Sequence, residues 1–332
     1  MSNKKHKEET KTIVLKIGAI VFAAIFCLST IALLMKIKGN NNSFFSDEPQ
    51  VLEEVLSVNG KEYALKDRIE TILLLGLDKF ENEESGYNND KQADFIMLLV
   101  IDRKAQTCKA IHINRDTMAE MNVLGVAGDK VGVVTKQIAL SHTYGNGREV
   151  SCRNTANSVS ELLLGVEIDH YVSVTMEAVS VYNDLVGGVT VEVLDDFSSI
   201  DSSMKKGKKV KLTGEQALTY VRSRYGLDDP TNLGRMERQK QYLEALYQKS
   251  LKKSKTDEGF IRRAAIKVAD YIVSDCSINK LESLLESLTD YEFEKILSLE
   301  GENLKGDSYM EFYPDEESVK EVVIDCFYEI KE

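Results

Sequence analysis

The stretch IVLKIGAIVFAAIFCLSTIALLM, residues 13–35, constrains this chain more than any other. From Ile17 to Met35 it runs for 19 residues without a charge or a proline. At about 1.5 Å per residue, such a helix nearly matches the roughly 30 Å hydrocarbon core of a bilayer. Lys4, Lys5, Lys7, Lys11 and Lys16 stand before the apolar core, against Lys36 and Lys38 after it. That asymmetry keeps the N-terminus in the cytoplasm. A cleaved secretory signal fits less well, because the apolar core is too long and Met35-Lys36-Ile37-Lys38 offers no small-residue cleavage site. The expectation is a cytoplasmic tail (1–12), a transmembrane helix (13–35), a polar linker (36–54) and an extracytoplasmic domain (55–332).

The chain has a formal net charge of −12, although its first 38 residues are basic. The excess acid therefore all lies in the C-terminal domain, and most of that surface repels nucleic acid. The five cysteines, Cys27, Cys108, Cys152, Cys276 and Cys326, show no paired spacing and no CxxC. No disulfide framework is readable from them, and their redox state stays open. The usual enzyme signatures, a P-loop GK[ST], HExxH or GxSxG, are absent. The four histidines lie far apart in sequence, which argues against a zinc site. Outside the membrane there is no ATP, so a bond-forming enzyme there needs a donor that carries its own energy, as a pyrophosphate-linked lipid does.

Val55–Val58, Asn59-Gly60 and Tyr63–Leu65 read as a tight hairpin, with Asn-Gly supplying the positive-φ turn. Thr71–Leu77 reads as a buried central strand, and Phe95–Asp102 and Thr107–Ile113 as a second hairpin. Residues 154–164 and 180–186 read as helices and 170–176 and 189–194 as strands, with Gly187-Gly188 ending the second helix. Thr213-Gly214-Glu215-Gln216 is a capping box that starts a helix over 214–221. Helices are expected over 233–253, 258–275, 278–289 and 316–329, with a strand near 293–299. Interleaved strands and helices without a repeat predict one α/β domain, helical layers about a central mixed sheet.

Residues 204–240 are an island of positive charge: five lysines from Lys205 to Lys211, then Arg222, Arg224, Arg235, Arg238 and Lys240, against only Glu215, Asp228, Asp229 and Glu237. The lysine run reads as a solvated hairpin face. Arg222 and Arg224, two apart in extended backbone, point the same way. Arg235, Arg238 and Gln239 share a face near a helix N-terminus. Guanidinium forks beside a helix N-terminus suit phosphate, and pairing with the domain's surplus carboxylates is the structural alternative. Asp78, Asp94 and Arg115-Asp116 each stand at the end of a strand. If those strands are neighbours, acids and an arginine gather where Mg²⁺ and phosphates can bind. Taken alone, Asp78 and Asp94 are equally readable as turn residues.

ADFIMLLVID…HINRDT, YNDLVGGVTV and LTGEQALTYVRSR…NLGRMERQKQYL, in this order over about residues 70–250, resemble the LytR-CpsA-Psr family. That family consists of membrane-anchored extracytoplasmic phosphotransferases, which move glycan polymers from a polyprenyl pyrophosphate carrier to peptidoglycan. The resemblance implies that Asp78 and Asp94 hold Mg²⁺ on the pyrophosphate, and that Arg115, Arg222, Arg224, Arg235 and Gln239 bind its oxygens. It implies that Asp116 orients Arg115 or assists the acceptor hydroxyl. The chain departs from the family pattern at Gln92, where an arginine is usual and Lys91 is the candidate substitute, and at Asn232, Asn114 and the Lys136-Gln137 pair. A catalytically silent, membrane-tethered binder of polyprenyl phosphate or wall glycan is the competing expectation.

Overall fold

The computed structural model describes residues 52, 54–58, 60–78, 91–224, 226–229, 231–257, 259–276, 291–306 and 309–331. The strands in chain order are β1 (Val55–Val58), β2 (Lys61–Leu65), β3 (Ile69–Leu77), β4 (Ala93–Asp102), β5 (Thr107–Ile113), β6 (Met118–Leu124), β7 (Lys130–Gln137), β8 (His170–Thr175), β9 (Thr190–Glu192), β10 (Lys209–Lys211), β11 (Ile272–Ser274), β12 (Glu292–Ser298), β13 (Gly301–Lys305), β14 (Met310–Pro314) and β15 (Tyr328–Ile330). The α-helices are α1 (Glu149–Leu162), α2 (Glu177–Leu185), α3 (Gly214–Arg222), α4 (Asn232–Thr256), α5 (Phe260–Val268) and α6 (Glu316–Phe327). Contacts group the described residues into two compact units, one of 52–174, 273–276 and 295–331, the other of 175–272 and 291–294.

The first unit is built on a six-stranded sheet in the order β11-β8-β3-β4-β5-β12. β3 and β4 are apolar without alternation because both of their faces are buried. They pair antiparallel, and β5 pairs antiparallel with β4. Leu73, Leu75, Ile96, Leu98, Ile111 and Ile113 line one face of the sheet. They pack with Val159 and Leu163 at α1 and with Val319, Val323 and Phe327 of α6. Removing one such side chain, as in Leu98→Ala, costs about 2–5 kcal/mol.

The first hairpin forms with Val58 paired to Lys61, which leaves two turn residues; Gly60 takes φ 75°, and Asn59 lies outside the described residues. Beyond the sequence-based expectations, β15 adds a third strand to it, so the closing helix stops at Phe327. The hairpins β6-β7 and β13-β14 were not expected either.

In the second unit, Gly187 and Gly188 end α2 with φ of 81° each. The capping box at Thr213 forms as expected: Thr213 Oγ1 accepts from the Gln216 amide and Gln216 Oε1 from the Thr213 amide. Gly214 is required there, since a Cβ would meet Ser180 and Asp184 of α2 at 2.5–2.7 Å. Val210 of β10 pairs with Val191, leaving Lys209 and Lys211 exposed, the solvated hairpin face that the lysine run predicted.

Two expectations are corrected here. The helix expected over 258–275 ends at Val268, because Ile272–Ser274 is recruited to the sheet edge as β11, where β-branched, buried side chains override helical propensity. Arg222 is still in α3, so Arg222 and Arg224 flank a helix end and do not lie along one extended segment. The helix expected over 278–289 and the apolar stretch 13–35 lie outside the described residues. Among the described residues, no helix is long and apolar enough to cross a membrane.

Candidate functional site

β3, β4 and β5 are adjacent and alternate in direction, so the end of β3, the start of β4 and the end of β5 lie at one edge of the sheet. Asp78 follows β3, Asp94 is the second residue of β4, and Arg115-Asp116 follows β5 by one residue. Leu77 pairs with Ala93 while Gly76 pairs with Phe95, so Asp94 is the extra residue of a β-bulge. Such bulges re-aim a side chain at a strand end.

Arg115 is the hub of this edge. Its guanidinium donates to Asp94 and to the side-chain oxygen of Gln92, and its Nε lies 3.4 Å from Asp116 Oδ1. The side chain is largely buried, so the planar fork is held in one orientation. Asp116 is fixed in turn: its Oδ1 accepts from Gln137 Nε2 at 2.8 Å, and its amide donates to Asn114 Oδ1 at 2.9 Å. Gln137 also donates to the Met310 carbonyl, which ties β7 to β14 at the same place. Asn114 and Gln137, two of the departures noted in the sequence, thus brace Asp116.

His142 was assigned no role from the sequence. It is fully buried, and its Nδ1 lies 2.8 Å from the carbonyl of Lys91, immediately before Gln92. Burial lowers its pKa to about 4, so the ring is neutral and donates its Nδ1 proton to that carbonyl. Cys152 Sγ lies 3.5 Å from Nε2, and burial raises this thiol's pKa to about 12. The pair is therefore no thiolate–imidazolium nucleophile. His142 and Lys91 are 51 residues apart, so no local signal links them.

In the other unit, Arg238 and Gln239 of α4 face the end of α3. Arg238 donates to the carbonyls of Tyr220 and Ser223, and Gln239 Nε2 to the carbonyl of Val221. These carbonyls at a helix C-terminus need partners from outside the helix. Arg238 and Gln239 thus hold the turn that carries Arg222 and Arg224, and Gln239, expected on phosphate, gives one N–H of its amide to that turn. Arg222 is exposed, and Arg224 is half-buried. Arg235, buried in the first turn of α4, donates to Asn232, whose neighbour Thr231 caps the helix at Gly234.

The profile of the LytR_cpsA_psr family matches residues 33–325. The chain belongs to that family. Among curated LytR_cpsA_psr relatives, the polyisoprenyl-teichoic acid–peptidoglycan teichoic acid transferase TagU of Halalkalibacterium halodurans is 32% identical over 180 residues, 54% of this chain and 53% of that protein. The corresponding transferase TagV of Bacillus subtilis is 29% identical over 249 residues, 72% of this chain and 59% of the relative. The chain thus spans little more than half the length of these two relatives. The crystal structure of B. subtilis TagV superposes with a TM-score of 0.60 at 25% identity, covering 79% of this chain and 97% of that one. Protein gbs0355 of Streptococcus agalactiae shares the fold, with a TM-score of 0.62 at 20% identity over 78% of this chain and 86% of that one. The mixed α/β architecture about a central mixed sheet is the one found in solved structures of the LytR_cpsA_psr family.

The Mg²⁺ implied by the LytR_cpsA_psr resemblance can be tested against the donor set. Asp78 and Asp94 offer hard carboxylate oxygens beside the paired residues Leu77 and Ala93. Two carboxylates completed by substrate phosphates are a usual magnesium set, so the residues fit. Asp78, Asp94 and Asp116 do not form a three-carboxylate cluster: among the described residues, the one trio of His, Cys, Asp or Glu with ligand atoms mutually within 4.8 Å lies elsewhere.

Proposed function

We propose that the chain is a phosphotransferase of cell-wall assembly, anchored in the cell membrane by residues 13–35, with its N-terminus cytoplasmic and residues 40–332 outside. It moves a glycan polymer from a polyprenyl pyrophosphate carrier to peptidoglycan. Family membership and the transferase names of TagU and TagV support this reading. The observation that carries it is Arg115, a largely buried guanidinium clamped by Gln92, Asp94 and Asp116 at the edge where Asp78 also stands.

In this reading the acceptor sugar hydroxyl attacks the phosphorus that bears the glycan, in line with the bond to the polyprenyl phosphate. The new P–O bond forms as the old one breaks, polyprenyl phosphate leaves, and the proton of the hydroxyl passes to the departing phosphate. Arg115 presents a preoriented fork to the charge that grows on the phosphoryl oxygens, and Asp116, held by Gln137, keeps that fork in place. Arg222, Arg224 and Arg235 bind phosphate oxygens, with Lys91 supplying a further positive charge. Asp78 and Asp94 would hold Mg²⁺, which when bound neutralises pyrophosphate charge.

Purified chain incubated with Mg²⁺, a labelled lipid-pyrophosphate glycan and peptidoglycan should transfer label to the peptidoglycan and release polyprenyl phosphate. A chelator should stop transfer and Mg²⁺ restore it. Label that binds but never transfers would leave a silent binder, the reading favoured by Gln92 standing where the family usually has arginine. For topology, an externally applied thiol reagent should label a cysteine placed at Ser46 and miss one placed at Ser2.

A further inference from the structure

We propose that His170, Asp275 and Cys276 form a binding site for a divalent transition metal of borderline softness, with zinc as the expected occupant. The three lie in one unit, at the other end of the sheet from Arg115. His170 opens β8 beside Glu70, the second residue of β3, whereas Asp78 follows the last. Asp78 stands eight positions beyond Glu70 along the strand direction, roughly 26 Å.

The ligand atoms of the three side chains lie within 4.8 Å of one another. His170 Nδ1 is buried without a hydrogen-bond partner, and lies 3.6 Å from Asp275 Oδ1. That separation is too long for a hydrogen bond. It is close to the roughly 3.3 Å expected between nitrogen and oxygen ligands of a tetrahedral zinc. The other ring nitrogen, Nε2, lies 3.9 Å from Glu70 Oε1, and Glu70's second oxygen accepts from Arg103. At 3.9 Å the Glu70 carboxylate stands beside the imidazole without a hydrogen bond to it.

The backbone on both sides is braced. The Tyr171 amide donates to Asp275 Oδ1 at 3.0 Å, Ser274 Oγ to the Tyr171 carbonyl at 2.7 Å, and the Cys276 amide to Ser274 Oγ at 3.1 Å. The Asp169 amide donates to Thr71 Oγ1 at 2.8 Å, pinning the start of β8 to β3. Cys276 is fully buried while His170 and Asp275 are partly exposed, so an ion can reach the group from solvent. A thiol with an imidazole selects zinc, cobalt or copper over magnesium. The bland alternative is an ion pair: without a metal, Asp275 first and Cys276 next raise the His170 pKa to about 10.

Chelator-treated full-length chain, titrated with Co²⁺, distinguishes the two. One equivalent of cobalt should produce a thiolate-to-cobalt absorption that zinc abolishes, and Cys276→Ser should lack it. Asp275→Asn, at a partly exposed position, and His170→Gln should each weaken zinc binding at least about tenfold. Cobalt bound to carboxylates at Asp78 and Asp94 gives no such band, so the result does not depend on the transferase reading. A folded chain with no thiolate band overturns the proposal. So does a band that persists in folded Cys276→Ser, or zinc affinity unchanged in Asp275→Asn.

Discussion

Arg238 donates to the Asp195 carboxylate at 3.0 Å, and both side chains are almost wholly removed from water. The same guanidinium stacks over the Phe197 ring, 5.5 Å from its centroid, and caps the end of α3 through the Tyr220 and Ser223 carbonyls. Every face of this buried charge is thus engaged, which is the condition under which burying it is tolerable. Removing one partner should cost about 3–5 kcal/mol, so Arg238→Ala should lower the urea midpoint strongly. Arg238→Met combined with Asp195→Leu should cost less than the two single changes added together.

Arg115 differs in what its loss should do to turnover. Arg115→Ala leaves the Asp94 and Asp116 carboxylates without their partner and should lower the melting temperature, and in the proposed mechanism it should also cut transfer per folded molecule at least about 10²-fold. Gln137→Leu tests positioning through Asp116. It should lower kcat more than it raises KM, because the orientation of the fork matters most at the transition state. A pure stability loss with normal turnover would remove Gln137 from the mechanism.

The arginines at the end of α3 supply a third test. Arg222→Ala or Arg224→Ala should each cut transfer at least roughly 10²-fold with the fold intact. Arg222→Lys should not restore it, since an ammonium cannot reproduce a bidentate fork. Turnover and melting temperature measured on the same variants decide: normal turnover with lost stability would mean a structural pair.

His142 predicts a pH dependence of stability. Its pKa falls from 6.5 to about 4 on folding, so the unfolded chain binds the extra proton between those values. The contribution is full above about pH 6.5, shrinks as pH falls, and is gone below about pH 4. Its size is on the order of 3 kcal/mol. Urea unfolding at pH 7 and pH 5 should show the loss, and His142→Asn should flatten it. Because His142 anchors the carbonyl before Gln92, that variant should also loosen Arg115 and lower transfer.

Most strands and helices were legible in local patterns, because local energetics decide them. β5 is found over the residues its β-rich run marked, and the capping box at Thr213 fixed the start of α3. That the end of β3, the start of β4 and the end of β5 lie together followed from reading three consecutive strands as neighbours. What could not be read depends on partners distant in the chain. Ile272–Ser274 turns from helix to strand because a sheet edge is there to receive it. Gln239 turns to the Val221 carbonyl because the end of α3 needs a donor. Gln137 finds Asp116, and His142 finds Lys91, across loops that no spacing rule connects. Periodicity and capping act within a turn or two of the chain, so sequence alone determined the elements and their chemistry-bearing ends. Hydrogen-bond satisfaction in the interior acts across the whole fold, and it decided which polar groups became scaffold.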